Sequence, residues 1–391
     1  MSKNKKILAL TGIRSEYDIL YPVLAGLDKK KFDLSIAVSG AHLSHNFGFT
    51  IKKIESDGFQ IADRIDSLFS TDREVQRSKA VGALVIGLTQ TVERTRPDIL
   101  IVVGDREESI AAAIVGNYFG ILIMHIGGGD PAFGNTDDPI RFAVSKLSHI
   151  HCVMHEEYAK NLINIGEEDF RIFNTGNPSY TNIDNVGFIK QSKLFENLGI
   201  KSSKDNFIVL IQHPLSSEVE STELQIDTTL QALKDFCCMH NYLTVCISPN
   251  SDPGSEIIRE KIRNFIEEDW FFYTETLTRD MFVNLMRHAK SLIGNSSMGI
   301  LEAPHYKLPV VNVGNRQKGR LNAGNVIFVD HCKDKIIDEI TRACLDVGYR
   351  KKIKTLDNPY GDKNSSKKII KIIHDINLDE SRWLNKRKLV P

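Results

Sequence analysis

Ser291-Leu-Ile-Gly-Asn-Ser-Ser-Met-Gly-Ile-Leu-Glu302 reads as a short apolar strand, a small polar turn and the start of a helix. The strand is expected over Ser291–Ile293 and the helix from near Ser297. Glycine and serine in such a turn let the backbone approach a ligand closely. Free N–H groups at a helix start form an anion site, and a phosphate suits it best. Ser296 and Ser297 would line that site. Glu302 lies about one turn further on, where a carboxylate can accept hydrogen bonds from ribose hydroxyls. A second apolar strand, Val310–Val313, leads into Gly314-Asn-Arg-Gln-Lys-Gly-Arg320, with cations at Arg316, Lys318 and Arg320. One segment thus offers a diphosphate cradle, a ribose acceptor and a cationic loop. The plainer alternative is a strand–turn–helix with capping serines.

The same rhythm of short apolar runs and longer helical patterns extends outward in both directions. Strands are expected at Ile7–Leu10, Leu34–Val38, Ile99–Val103, Leu122–His125 and His151–Met154. Helices fit Tyr17–Leu27, Phe47–Asp57, Ala80–Arg96, Glu107–Tyr118 and Pro139–Lys146. After a polar stretch ending in Lys201-Ser-Ser-Lys-Asp205, strands resume at Phe207–Ile211, Leu243–Ile247 and Phe271–Tyr273. Such alternation means βαβ units and parallel sheets. The expected class is α/β, two doubly wound Rossmann-like domains, 1–180 and 181–378. A last amphipathic helix, Lys367–Ile376, could pack back on the first domain, and a loose charged tail, 379–391, ends the chain. At 391 residues the chain is too long for one ordinary core.

In open α/β sheets, ligands sit beyond the carboxyl ends of strands, and the polar motifs fall there. Thr11-Gly-Ile-Arg-Ser-Glu-Tyr-Asp18 follows the first strand and places Arg14 to reach an anion, or to form a surface ion pair. It is no GxGxxG fingerprint, so a nicotinamide cofactor is not indicated. Gly104-Asp-Arg-Glu-Glu108 follows an apolar strand and puts Asp105 at its exit, beside Arg106. Asp105 is an acid/base candidate or else the N-cap of the helix near Glu107. His125-Ile-Gly-Gly-Gly-Asp130 offers three consecutive glycines, a bare backbone against a ligand. Gly134-Asn-Thr-Asp-Asp-Pro-Ile-Arg141 places Asp137 and Asp138 just before Pro139 at a helix N1 position. One is expected as the N-cap, leaving the other for chemistry, with Arg141 a turn inside. Asp105, Asp130, Asp137 and Asp138 are more carboxylates than N-caps require. In the second half, Gln212-His-Pro214 and Ser248-Pro-Asn-Ser-Asp-Pro-Gly254 also follow strands, bringing in His213 and Asn250. His213 could donate to a developing phosphate charge.

The bulk numbers exclude several classes. Lys+Arg 50 balances Asp+Glu 50, so no nucleic-acid surface is indicated. No stretch approaches 18 apolar residues, so no membrane span is expected. The apolar run after Met1-Ser-Lys-Asn-Lys-Lys6 is too short for a signal peptide. The six cysteines show no metal spacing and are expected as buried free thiols in a cytoplasmic protein.

Taken in order, Thr11-Gly-Ile-Arg-Ser-Glu-Tyr17, Ser39-Gly-Ala-His42, Gly104-Asp-Arg106, Asp137-Asp-Pro-Ile-Arg141, His213-Pro214, Gly294-Asn-Ser-Ser297 and Gly314–Arg320 span nearly the whole chain. This ordered set resembles the hydrolysing UDP-N-acetylglucosamine 2-epimerases of sialic-acid biosynthesis. The resemblance implies a GT-B fold, two domains facing a cleft, with the nucleotide held by the C-terminal one. It implies elimination of the nucleotide diphosphate across C1–C2 to a 2-acetamidoglycal. Water then adds at C1 and a proton returns to C2 from the opposite face, releasing N-acetylmannosamine and UDP. It implies no metal and no cofactor, a sugar-nucleotide substrate, and a homodimer or homotetramer. By resemblance, Asp105 and Asp137 match acid/base positions, and His213 and Arg14 match nucleotide-phosphate contacts. Ser296, Ser297, Glu302 and Arg316 match phosphate, ribose and nearby contacts; His42 and Arg141 match sugar-side positions. Arg106 and Asn250 join them as substrate-binding candidates. One departure stands out: many relatives read His-Ile-Glu-Gly-Gly where this chain has His125-Ile-Gly-Gly-Gly129, and Asp130 is the nearest replacement for that glutamate. The glycine also leaves room for a larger sugar, so UDP- or GDP-linked 2,4-diacetamido-2,4,6-trideoxyhexose, as in legionaminic-acid pathways, is the alternative substrate. A GT-B glycosyltransferase and a sugar-nucleotide sensor are the readings from other classes.

Overall fold

A computed structural model describes residues 4–69, 75–132 and 137–386. Gly134, Asn135 and Thr136 of the aspartate motif, and residues 387–391 of the tail, lie outside the described residues. Among those described, no helix is long and apolar enough to cross a membrane.

The chain forms two compact units. The first is built on seven strands: β1 (Lys5–Thr11), β2 (Phe32–Ser39), β3 (Gln60–Ile65), β4 (Ile99–Val103), β5 (Leu122–Ile126), β6 (Ile150–Val153) and β7 (Ile172–Asn174). Their spatial order is β3-β2-β1-β4-β5-β6-β7, and every pairing is parallel. Parallel sheets are covered on both faces, so their strands read as continuous apolar runs. β4, Ile-Leu-Ile-Val-Val, and β5 are buried at every position. The helices that concern the site are α1 (Arg14–Leu24), α2 (Ile51–Ser56), α3 (Val75–Thr95), α4 (Glu107–Phe119) and α5 (Asp137–Leu147). α3 and α4 cover one face, where Leu84, Leu88, Ala112 and Val115 meet Leu8, Leu100, Val102 and Ile123. The strand order reverses between β1 and β4, which pair as Ile7↔Ile99 and Ala9↔Ile101. The turns after these two strands therefore lie at a switch point, where ligands of doubly wound sheets bind.

The second unit, mainly Ile183–Pro359, repeats the plan. Its strands are β8 (Asn206–Ile211), β9 (Tyr242–Ile247), β10 (Phe271–Thr274), β11 (Leu292–Gly294), β12 (Val310–Val313) and β13 (Val326–Val329), in the parallel order β10-β9-β8-β11-β12-β13. Period-two alternation divides its core. Ile208 and Leu210 pack with Phe236, Trp270, Ile293 and Val311 on one face; Phe207 and Val209 pack with Val245, Leu292 and Val310 on the other. Here the order reverses between β8 and β11, which puts Gln212-His213 and Gly294-Asn295 side by side.

The elements differ from the sequence reading in places with identifiable causes. β3, β7 and β13 carry no strand signal, because each contributes partly exposed residues to an edge or near-edge position. α1 begins at Arg14 rather than Tyr17. Glu16 reaches back to accept the Gly12 N–H at 2.8 Å, supplying the N-terminal partner that no serine or threonine provides. α5 begins at Asp137, so Pro139 is its third residue, not its first. A proline is tolerated there because first-turn N–H groups have no partner within the helix. Both aspartates lie in its first turn. Cys152, Cys237, Cys246 and Cys344 are buried, but Cys238 is exposed and Cys332 half-buried.

From Tyr360 the chain returns to the first unit. Helix Ser365–Asp375 ends on Lys5, whose Nζ donates to the carbonyls of Ile373 and His374 at 3.0 and 2.9 Å. The tail corrects the expectation of a loose end. The fully buried Arg171 guanidinium donates to the backbone oxygens of Arg382, Trp383 and Asn385 at 2.5, 2.7 and 3.0 Å. Lys386 donates to the Lys146 and Ser148 carbonyls and pairs with Glu167 at 2.6 Å. Charge in the tail attaches it, because Lys386 meets a buried carboxylate and two backbone carbonyls.

Candidate functional site

In the first unit the turn after β4 is set by Gly104, whose φ of +71° favours glycine. His125 fixes that turn from below. Its Nε2 donates to the Gly104 carbonyl at 2.7 Å, which leaves Nδ1 to accept from Ser145 at 3.1 Å. Burial lowers the His125 pKa to about 3, so the ring is neutral. Arg106, not Asp105, is the N-cap residue of α4. The Asp105 carboxylate instead meets Arg141 Nη2 in an ion pair. Arg141 Nη1 lies 3.3 Å from the Asp130 carboxylate and also donates to the Asp130 backbone oxygen. Asp105, Asp130 and Arg141 are therefore one buried cluster, and Asp137 is near enough to act on the charge of both Asp105 and Arg141. Burial pushes the Asp105 pKa above its ordinary value, more than Arg141 pulls it down, and Asp137 adds to the rise.

Several residues of this cluster escaped the sequence reading. Arg77 on α3 bridges Glu107, through Nε, and Asp137 Oδ1, through Nη1 at 2.9 Å. Arg106 lies 3.5 Å from Glu107 and 3.9 Å from Glu108. Glu108 accepts from Ser39 Oγ at 3.1 Å, and its carboxyl occupies the space a Cβ would need at Gly12. Among the described residues, six carboxyls (Glu16, Asp105, Glu107, Glu108, Asp130, Asp137) thus cluster with three guanidiniums (Arg77, Arg106, Arg141). An excess of buried negative charge must be relieved by protons. Burial accordingly raises Glu16 and Glu108, each helped by a neighbouring carboxylate, as it raises Asp105. Burial also pushes Glu107 up, but Arg106 and Arg77 outweigh it and hold Glu107 below its ordinary value. Only the helix α3 could have hinted at Arg77, and nothing in its spacing distinguishes it from a solvated arginine.

The triple glycine is explained by packing and backbone, which corrects the reading of a bare backbone. A Cβ on Gly129 would fall 2.3 Å from the Tyr158 carbonyl, and one on Gly128 would fall 2.7 Å from Ser145 Oγ. Gly127 has room but sits at φ +83°, where a side chain is strained. His42 is buried, with ring nitrogens 3.0 Å from Thr11 Oγ1 and 2.6 Å from Thr50 Oγ1. Burial lowers its pKa to about 3. Arg14 stands at the start of α1, 3.7 Å from Asp18.

In the second unit Asn295 is the hub. Gly294 has φ +118°, and a Cβ there would lie 2.1 Å from the Ile211 carbonyl, so only glycine permits this approach to β8. Asn295 Oδ1 accepts the His213 N–H at 2.7 Å and its Nδ2 donates to the His213 carbonyl at 2.8 Å. Its own carbonyl receives Arg316 Nη1 at 3.2 Å and Gln317 Nε2 at 3.1 Å. His213 Nδ1 accepts the Asn250 N–H at 3.1 Å, which assigns the proton of a neutral ring to Nε2. The Asn250 side chain is engaged with Asp252 and Ser255. Arg316 also lies 4.0 Å from Asp252, and its Nε is buried without a hydrogen-bond partner. His213, Asn250, Asn295, Ser296 and Arg316 are thus brought together. The helix from Met298 to Leu301 is a single turn, so this segment has no long helix start. Ser297 precedes it as N-cap, with no side-chain cap bond. Glu302 lies beyond that turn, 3.4 Å from Arg279. Arg320 is buried and turns inward, donating to Gln317 Oε1 at 2.6 Å.

The sequence profile of the family described as UDP-N-acetylglucosamine 2-epimerase matches residues 25–374. The chain belongs to that family. A UDP-N,N'-diacetylbacillosamine 2-epimerase (hydrolyzing) of Legionella pneumophila is 34% identical over 383 residues, 98% of each chain. A GDP/UDP-N,N'-diacetylbacillosamine 2-epimerase (hydrolyzing) of Campylobacter jejuni is 34% identical over 84% of each. Polysialic acid biosynthesis protein P7 of Escherichia coli is 31% identical over 95% of this chain and 94% of its own. Among solved folds, the Neisseria meningitidis UDP-GlcNAc 2-epimerase bound to UDP-GlcNAc superposes with a TM-score of 0.80 at 19% identity, covering 95% of this chain and all of the other. Both parallel-sheet units thus match this GT-B-like 2-epimerase fold.

Proposed function

We propose that this family member is a hydrolysing 2-epimerase of a nucleotide-linked 2-acetamido sugar. The observation that carries the reading is the cluster of Asp105, Asp130, Asp137 and Arg141 at the strand ends of the first unit, in a chain matched end to end by hydrolysing 2-epimerases. A carboxylate removes the C2 proton as the C1–O bond breaks, and the electron pair leaves on the nucleotide diphosphate, forming a 2-acetamidoglycal. Water adds at C1, and an acid returns a proton to C2 from the opposite face. The reaction needs two acid/base groups, and Asp105 and Asp137 are assigned to them. Asp105, whose carboxyl burial favours protonated, suits the acid. His213 Nε2–H, Arg316, Ser296 and Ser297 are assigned to the departing diphosphate, where charge develops. Glu302 is assigned to the ribose, and Arg14, Arg106 and Arg141 to substrate anchoring. His42, with both ring nitrogens occupied, is assigned to shaping the turn after β1.

The sugar favoured is N,N'-diacetylbacillosamine carried by UDP or GDP, on the names of the two relatives at 34% identity. UDP-N-acetylglucosamine is the second reading, supported by the 30% identical UDP-N-acetylglucosamine 2-epimerase of Neisseria meningitidis. Gly127 is not used to choose between them, because a φ of +83° favours glycine whichever sugar is bound. Purified protein incubated with each sugar nucleotide in deuterium oxide, without added metal or NAD, is expected to release free nucleotide diphosphate and a sugar deuterated at C2. Proton NMR reads both. A released sugar that keeps its C2 proton rules out the elimination.

Arg316→Ala and Ser297→Ala are expected to weaken UDP binding about 10- to 150-fold, since a hydrogen bond to a charged group is worth roughly 1.5–3 kcal/mol. Calorimetric titration with UDP checks this. Unchanged dissociation constants in both variants would remove the cradle from this segment.

A further inference from the structure

Arg77 belongs to no sequence motif, yet it joins two carboxylates from different elements. Its Nε meets Glu107 at the start of α4, and its Nη1 donates to Asp137 at the start of α5, 2.9 Å away. The three side chains are 21%, 8% and 15% exposed. A pair on the open surface would be worth little, but this one is largely withdrawn from water and is screened less. Guanidinium geometry matters here, because one planar fork holds both carboxylates at a fixed angle, which an ammonium cannot do.

We infer that Arg77 is a positioning residue for the reaction proposed above: it holds Asp137 as an oriented carboxylate, so that Asp137 takes the C2 proton, and Glu107 fixes Arg77 in turn. The inference rests on the 2-epimerase reading. Asp105 is assigned the acid rather than the base, since burial favours its protonated carboxyl. Among the described residues, the charged groups near Asp137 include Arg77 from α3, Asp105 from the turn after β4 and Arg141 from its own helix, with Asp138 next in sequence; Glu107 and Arg106 stand behind Arg77.

The sign of the effect follows from Coulomb's law. Removing the cation beside a carboxylate favours its protonated form, so a base loses activity at a higher pH. Arg77→Met should therefore move the acidic limb of the kcat/KM profile upward by about 1 pH unit or more, with the dissociation constant for UDP within a few-fold of wild type. Glu107→Gln should move the limb the other way, because it removes a negative charge that competes with Asp137 for Arg77. Arg77→Lys should keep the limb near its wild-type position but lower kcat, since it restores charge without the fork. The pH profiles are measured with the sugar nucleotide that the wild type turns over, alongside melting temperatures. Opposite displacements in Arg77→Met and Glu107→Gln support the inference, and either variant alone reports if the other does not fold. A rate loss with an unmoved limb, or loss of UDP binding, overturns it. A wild-type protein that epimerises none of the sugar nucleotides overturns the 2-epimerase reading instead, and this inference with it.

Discussion

Asp105→Asn is expected to lower kcat by at least about 10²-fold, the low end for a positioned general acid or base. The dissociation constant for UDP should stay within a few-fold, because the hub of His213, Asn295 and Arg316 belongs to the other unit. The substitution removes one of the two carboxylates paired with Arg141, but Asp130 remains at 3.3 Å, so the guanidinium is not stranded. A modest fall in stability is therefore expected, not unfolding. Parallel measurement of turnover, UDP titration and melting temperature separates these effects. Loss of UDP affinity together with turnover would make Asp105 structural.

The largest expected effect on stability is at Arg171. Its guanidinium is fully buried and donates to three tail carbonyls and to the His149 carbonyl, and its Nε pairs with Glu168 at 2.8 Å. Arg171→Met would keep much of the volume but strand those carbonyls. Breaking such a buried charged network by removing one partner costs about 3–5 kcal/mol. For a unit of this size, that is a fall in melting temperature of roughly 6–20 °C. Calorimetry should show the loss in the transition of the first unit, with the tail after Leu378 becoming sensitive to protease. An unchanged transition with a protected tail would mean that Trp383, packed on Phe170, and Lys386, paired with Glu167, hold the segment without Arg171.

The α/β alternation, the apolar strands and the places where polar motifs leave them are legible in one dimension. Buried parallel strands must be continuous apolar runs, and ligand-facing residues must follow their ends. β4 and β12 are read to the residue for that reason. Asp105, His213, Ser296 and Arg316 stand out because they lie within a few residues of such an end, whereas Asp137 and Arg141 stand out as a charged motif at the start of a helix. Sequence alone also misleads where composition is taken for environment. The charged tail looks loose, but the buried Arg171 holds its carbonyls and Lys386 pairs with a buried carboxylate; of the three glycines, Gly128 and Gly129 are closed off by Ser145 and Tyr158, while Gly127 has room but a positive φ.

What only the tertiary structure decided is which charges meet. Arg77 lies far along the chain from both Glu107 and Asp137, so no local pattern joins them. Asn295 becomes a hub only because the sheet order places β11 beside β8. The sequence by itself determined where the strands end and which residue types stand there, since burial and periodicity are local consequences of the chain. Partnership, burial of charge and the resulting proton affinities depend on long-range packing, and they were settled only when the two sheets were in place.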